Sequence, residues 1–524
     1  MSAILTGTRS GFGLQALLPA ALLGLLPVIF IPICFDSYVL PRASLAIVGA
    51  CLGLGLCLIR SADLRARLGP LCWPALAVAA AALLAGLFSV APSLSLIGSY
   101  GRYESATMRL AYLALFATAA VLVRGGRARR LAIWAFIGGC VVVSLEAVYE
   151  GVTHSLPRPD GNLGQANLLG ALLAMAVPLC VNRTLRNPLW ALPLLPIGAG
   201  LALSQSRSGW LGAFAGIVAL APLLLTRHRL EVAAAAAAAV AGALALILLS
   251  PLGRLNQDTG TARLHVWADS LPLLAARPLL GWGEDTLGLV FGAYLRGDWQ
   301  PGATFDRVHE LGLDLLAAQG LAGLAACAWF FGRWAWDAWQ ASSPESELPG
   351  ILAAWAGYVV AASINFDWAP QTAPLWLLAG VAWSELADRR PAPVSAAGWI
   401  WPKVAAWAAL AGVAVALGVA PVIADLAHYR GDDHRAVRLD PLQPEYHRSL
   451  ALQEINAGDL SGGVAELETA ARLGESDPEA FVSLGDAQIS LGRTADARAS
   501  YRRAVELDAY DRVAQQRLAA LTGD

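Results

Sequence analysis

The chain has 524 residues, 57% of them hydrophobic and 15% charged, with a mean hydropathy of +0.55 and a formal net charge of −2. A soluble domain carries about 25% charge, so an ordinary soluble enzyme is excluded, and the lack of a positive excess excludes nucleic acid as a partner. Charge is thick after about Asp425 and thin before it, which predicts an integral membrane protein with one small soluble appendage.

The first apolar stretch, Leu14 to Phe35, is longer than a signal-peptide core and lacks a clear small-residue cleavage site. It reads as an uncleaved helix. Further candidate spans follow at about 41–59, 70–90, 107–123, 131–149, 166–182, 188–204, 209–226 and 230–250. After a long polar interruption come 309–332, 350–366, 371–387 and 403–427. The pattern predicts an all-α, polytopic helical membrane domain over residues 1–428, with about thirteen transmembrane helices. The seven cysteines all lie in apolar stretches, so neither a disulfide framework nor a metal-type spacing is expected.

Arginines fall in alternate loops: Arg60, Arg65 and Arg67, then Arg124 to Arg130, Arg183 and Arg186, Arg227 and Arg229, Arg333, and Arg389 and Arg390 with the sole lysine, Lys403. Basic loops face the cytoplasm. The N-terminus, with Arg9, is then inside, and the intervening loops and the C-terminus are outside.

The longest polar interruption, residues 251–308 between Ser250 and His309, falls on the outer side. It carries Arg254, Asp258, Arg263, Asp269, Arg277, Glu284, Asp285, Arg296, Asp298, Asp306 and Arg307. A loop this polar belongs outside the hydrocarbon. The tail, 429–524, repeats at a spacing of 34: Pro444-Glu445 recurs as Pro478-Glu479, Leu450 as Leu484, Gly458 as Gly492, and Ala470 as Ala504. This resembles the tetratricopeptide repeat, a helix pair that stacks into a concave protein-binding surface. A spacer or folding cap is the plainer alternative.

Three constellations on the outer side could carry chemistry. In Ser204-Gln205-Ser206-Arg207-Ser208-Gly209-Trp210, an arginine fork ringed by hydroxyls suits a phosphate or diphosphate. A snorkelling interfacial arginine beside a belt tryptophan explains the same residues. Arg263, in Thr261-Ala262-Arg263-Leu264-His265-Val266-Trp267, sits on an expected amphipathic helix lying on the membrane, followed by the glycine turn of Arg277–Gly283. Alone it reads as a surface arginine. The third is Asp306-Arg307-Val308-His309-Glu310-Leu311-Gly312. A histidine here can accept a proton from a hydroxyl near neutral pH, with Asp306 or Glu310 orienting its ring. A helix-capping or interfacial histidine is the alternative.

Residues from about Gly161 to Glu385 resemble the O-antigen ligase superfamily of O-antigen ligases, O-antigen polymerases and protein O-oligosaccharyltransferases. The resemblance rests on four stretches in order: GNLGQANLLGALLAM (161–175), SQSRSGWLG (204–212), TARLHVW (261–267) with RPLLGWG (277–283), and DRVHELGLDLLAAQGLAG (306–323). It implies a C-type glycosyltransferase-like membrane fold in a bacterial cytoplasmic membrane. It also implies a polyprenyl-diphosphate-linked glycan donor and metal-independent, inverting transfer with no cofactor. By motif, Arg207 and Arg263 would bind the diphosphate and His309 would activate the acceptor. Gln165 and Asn167 would lie near the glycan or acceptor, with Ser206, Ser208, Asp306, Arg307 and Glu310 as further substrate contacts. The chain departs from many members in having Glu310 after the histidine and Gln319 where an acid is common; Glu310 could pair with Arg307 or repel an acidic acceptor.

The expected activity is therefore glycan transfer at the outer face, to a glycolipid, a lipid-linked glycan or a protein, with a protein partner for the repeats. A transporter or flippase is the rival from another class, and no inverted internal repeat favours it. An envelope scaffold acting through the tail is a third reading.

Overall fold

A computed structural model describes residues 14–59, 61–225, 229–249, 261–300, 304–390 and 400–522. Arg9, Arg60, Arg227, Arg254 and Asp258 of the sequence reading lie outside the described residues. Ahead of the large loop run α1 (Leu17–Val28), α2 (Val39–Ile59), α3 (Ser61–Leu68), α4 (Cys72–Leu87), α5 (Pro92–Ile97) and α6 (Ala106–Leu122). Then come α7 (Gly125–Thr153), α8 (Ala166–Thr184), α9 (Leu194–Leu203), α10 (Arg207–Leu224) and α11 (Arg229–Leu249). The loop holds α12 (Thr261–Ala276) and two 3-10 turns, Leu287–Leu289 and Phe291–Tyr294. The bundle closes with α13 (Leu311–Ala341), α14 (Leu348–Ala362), α15 (Ala369–Ala387), α16 (Ile400–Val413), a π turn and α17 (Ala420–Tyr429). The tail is α18 (Asp433–Leu439), α19 (Pro444–Asn456), α20 (Leu460–Leu473), α21 (Pro478–Ser490), α22 (Thr494–Leu507) and α23 (Arg512–Thr522). No strand occurs among the described residues. The protein is an all-α polytopic membrane protein.

The count of spans needs correction. A helix occupies each expected stretch, but among the described residues only seven are long and apolar enough to cross a membrane. Hydropathy marks apolar runs without fixing where a helix ends. α1, for example, is 12 residues, about 18 Å against a hydrocarbon core of about 30 Å. α14, at 15 residues, is short and largely buried inside the bundle.

Small residues let the central helices touch. A Cβ on Gly209 of α10 would lie 2.6 Å from the Gly170 Cα on α8, and one on Gly212 would lie 2.6 Å from the Gly357 carbonyl oxygen on α14. Such close approach is how helices associate where lipid removes the hydrophobic drive. The pairing fixes direction: α8 and α10 run parallel and α14 runs against them. The starts of α8 and α10 therefore share one end of the bundle with the α14–α15 turn, Ser363–Trp368. The opposite end gathers arginine ion pairs, Arg67–Asp388 at 3.0 Å, Arg129–Asp388 at 2.6 Å and Arg183–Glu347 at 3.0 Å. Between the ends, Phe330 packs edge-on against Phe116 and stacks with Trp376, and the buried Trp334 donates its Nε1–H to the Ala379 carbonyl.

α13 is broken at Gly320, where φ is 63° and ψ is −163°. The break removes helical partners from four backbone groups. The Pro278–Gly283 segment supplies replacements: Trp282 N–H donates to the Ala317 oxygen and Gly283 N–H to the Ala318 oxygen, at 2.8 and 3.0 Å. Leu321 and Ala322 N–H in turn donate to the Pro278 and Leu279 oxygens, at 2.8 and 3.1 Å. Irregular backbone in a membrane protein survives where protein satisfies it.

α12 is the expected amphipathic helix, but its buried face serves a different surface. Val266 and Leu273 pack with Phe291, Val308 and Ala317 in a small core belonging to the loop itself. In the tail, α19–α20 and α21–α22 are successive helix pairs. Leu450 and Leu484, and Ala470 and Ala504, are buried at matching positions. The tail docks at the end that holds the Ser363–Trp368 turn: Arg503 Nη2 donates to the Leu289 carbonyl at 2.9 Å, and Tyr100 and Tyr446 both donate to Asp425 of α17.

The Gly320 conformation is essentially open to glycine alone, and a Cβ there would meet the Leu279 backbone. Gly320→Ala is expected to cost about 1–3 kcal/mol in backbone strain. Thermal unfolding in detergent should show a lowered midpoint, and an unchanged midpoint would rule out this break.

Candidate active site

The turn that presents His309 is tied down on both sides. Val308 N–H donates to Asp314 Oδ1 at 2.6 Å, and the Val308 carbonyl accepts from Trp267 Nε1 of α12 at 3.0 Å. Glu310 caps α13, its Oε2 accepting from Leu313 N–H at 2.6 Å. His309 itself has a left-handed backbone, φ 63°. A non-glycine residue there is a sparsely populated state, kept by its surroundings and frequent at functional sites. The half-buried imidazole meets the Phe366 ring edge to face, with centroids 5.0 Å apart.

Neither acid expected to orient the imidazole is deployed that way. Asp306 binds Arg102 through both oxygens, at 2.5 and 3.0 Å, and Glu310 is committed to its helix cap. Arg307 is buried and pairs with Asp285, so the anticipated pairing with Glu310 is replaced. Asp285 also accepts from the Ser99 and Glu104 backbone N–H groups, both at 2.9 Å, which ties the lead-in of α6 to the His309 turn.

The α14–α15 turn is the hub. Its Ile364 carbonyl accepts from Arg263 Nη1 at 2.9 Å. Phe366 faces His309. The Arg102 guanidinium lies over Phe366 and Trp368, at 4.8 and 4.4 Å from the ring centroids. Asp367 pairs with Arg109 of α6, which also contacts Glu284 at 3.1 Å and Glu104 at 3.7 Å. Gln319 donates to Glu284. Arg102, Arg109, Glu104, Glu284, Asp285 and Asp367 thus shape this site although they were not candidates. Arg109 gave a signal, being an arginine inside an apolar run, where charge is costly and usually functional.

The electrostatics favour a neutral base. Burial, together with the nearby charges of Arg263, Arg102 and Arg307 and against the opposing pull of Asp306, pushes His309 down to about 4. Burial would raise Asp306 and Asp367, but Arg102 and Arg109 outweigh it and hold both below the usual carboxylate range. Burial pushes Glu104 up to about 8, against Arg109.

Arg207 belongs to a second group at the same end, with Gln165, Asn167, Ser206 and Ser208. It is the first residue of α10, and Ser206 caps that helix by accepting from Gly209 N–H at 3.2 Å. The buried Ser206 and Ser208 hydroxyls face each other at 3.0 Å, so both are engaged in the turn. Asn167 Oδ1 accepts from Arg158 Nη2 at 3.0 Å, and Gln165 Oε1 is buried without a hydrogen-bond partner among the described residues. Between α4, α13, α14 and α15 opens a cavity of about 340 Å³. Glu310, Arg109 and Asp367 line its polar part, and Phe331, Trp355 and Trp376 line its apolar part.

Replacing Arg109 would leave Glu284 and Asp367 buried against each other. Arg109→Met is expected to cost roughly 3–5 kcal/mol, the usual penalty for breaking a buried ion pair from one side. Adding Asp367→Asn should restore part of it. Folded yield and thermal unfolding of the two variants decide this.

No curated protein matches the chain by sequence. The family model described as O-antigen ligase matches residues 192–328, from the lead-in to α9 through the break in α13. That segment is similar to the O-antigen ligase superfamily and carries Arg207, Arg263 and His309.

Proposed function

We propose that the protein transfers a glycan from a polyprenyl-diphosphate-linked donor to an acceptor hydroxyl at the outer face of the cytoplasmic membrane. The observation that carries this reading is His309, held neutral among arginines at a turn whose next residue, Glu310, lines a groove with an apolar wall. The groove suits the polyprenyl chain. Arg263 and Arg207 hold the diphosphate, whose charge grows as the glycosyl bond breaks. His309 takes the acceptor proton while the acceptor oxygen bonds to the anomeric carbon with inversion, and the polyprenyl diphosphate leaves. The arginine-rich opposite end supports a cytoplasmic placement for that end. With that end inside, the His309 turn and the tail face the periplasm.

The test is a deletion strain complemented with wild type, His309→Asn or Arg263→Ala, read by mass spectrometry of glycolipids, free polysaccharide and glycoproteins together. Asn tolerates the left-handed backbone, so the fold is kept. Transfer is expected to fall by about 100- to 10,000-fold with His309→Asn, and lipid-linked glycan should accumulate. The attached product that vanishes names the acceptor: glycolipid, lipid-linked glycan or protein. Unchanged glycan pools with well-expressed variants would instead favour a transporter or scaffold.

The pH dependence follows from the base. Neutral imidazole is the working form, so the rate falls as pH drops through the histidine's pKa. With the free enzyme near 4, kcat/KM should lose activity only around pH 4. A bound diphosphate places negative charge beside His309 and raises its pKa. The acid limb of kcat should therefore lie at higher pH than that of kcat/KM, and coincident limbs would contradict this placement of the donor.

A further inference from the structure

A second cleft, of about 500 Å³, lies between the tail and the lead-in to α6, with Ser99 and Tyr100 on one wall. It stands apart from the groove beside His309. Its tail-side wall is acidic. Glu445, Glu475, Asp477 and Glu479 come from the two helix pairs, and Asp508 and Asp511 from the approach to α23. Asp298 of the large loop adds to the same space. The cation on this wall, Arg448, is already taken up by Glu445, Asp477 and Glu475. Asp477 and Asp511 each spend an oxygen on a helix start. Helix capping explains those two acids but not Glu479 and Asp298 beside them.

One buried acceptor in this wall lacks a hydrogen-bond donor among the described residues. Gln443 is 2% exposed, and its Nε2 donates to the Gly98 carbonyl while Oε1 has no hydrogen-bond partner. Glu475 is 8% exposed, and its Oε2 meets Arg448 Nε at 3.6 Å. The charges are also spread out. Among the described residues no three histidine, cysteine or acidic side chains gather to hold a metal ion. Glu445 and Glu479 are equivalent under the 34-residue offset, as are Pro444 and Pro478. Arg448 already meets Glu445, which leaves Glu479 and Asp298 as separate stations that suit positive groups along an extended chain. The unpartnered Gln443 Oε1 suits a backbone or side-chain N–H donor. We infer that this cleft docks an extended polypeptide segment bearing lysine or arginine side chains.

The cleft adjoins the candidate active site. A Cβ on Gly288 would lie 3.3 Å from Ser476 Oγ in the cleft wall and 3.7 Å from the Asp306 Cβ. A docked segment is therefore held beside the turn that carries His309. The inference stands on the cleft itself and does not need the transferase reading.

The test uses the full chain in nanodiscs and a fluorescein-labelled nonapeptide with lysine at alternate positions. Controls are the same peptide with glutamate for lysine, and spermine as a small polycation. The lysine peptide should bind, weakening as salt screens the charge, while the glutamate peptide should not. The double variant Asp298→Lys/Glu479→Lys should weaken binding at least about tenfold, with an unchanged unfolding temperature as the check on folding. Equal binding of both peptides, or unchanged binding in the variant, overturns the proposal. Spermine displacing the peptide at equal charge concentration overturns the polypeptide assignment.

Discussion

Arg109 carries a fixed positive charge into an apolar bundle, and much of the site geometry follows from how that charge is met. A buried cation is tolerable when opposite charges and hydrogen bonds surround it. The three that do so come from distant places: Glu104 from the lead-in to its own helix, Glu284 from the large loop and Asp367 from the α14–α15 turn. Holding Asp367 fixes the turn that presents Phe366 to His309 and the Ile364 carbonyl to Arg263. Holding Glu284 fixes its neighbour Asp285, which pairs with Arg307. One interior charge thus sets the relative positions of the base and of an arginine beside it.

The same economy shows in the backbone. Gly320 interrupts α13, and the residues that follow α12 fill the gap with hydrogen bonds. The loop is part of the bundle's interior at that point, and is not simply carried above it. This anchors the segment between α12 and the His309 turn from below, while Arg102, Asp306 and Trp368 secure it from the side.

Much of this was legible in the sequence, and the remainder failed for identifiable reasons. Apolar runs located the helices, because burial and lipid both demand them, and among the described residues seven of those helices are long and apolar enough to cross a membrane. Arg207, Arg263 and His309 stood out because their motifs fall in order around one polar loop. Their partners did not stand out. Arg109 and Asp367 lie 258 positions apart, and hydropathy encodes which face is buried without saying what it meets. Asp306 and Glu310 were read as histidine partners from adjacency alone. Adjacent residues on a turn point in different directions, and each acid found a better-placed donor. Ser206 and Ser208 looked like ligand hydroxyls, but the start of α10 needed them first.

The docking of the tail on the large loop has a consequence for biogenesis. Arg503 of α22 reaches the Leu289 carbonyl, and the Leu507 carbonyl lies against Gly292 in the second 3-10 turn of the loop. These residues are made about two hundred positions after the turn they brace. During synthesis the loop is delivered long before its support exists. Helix α22 therefore acts as a latch, so the loop gains this support only after that helix has been made and folded.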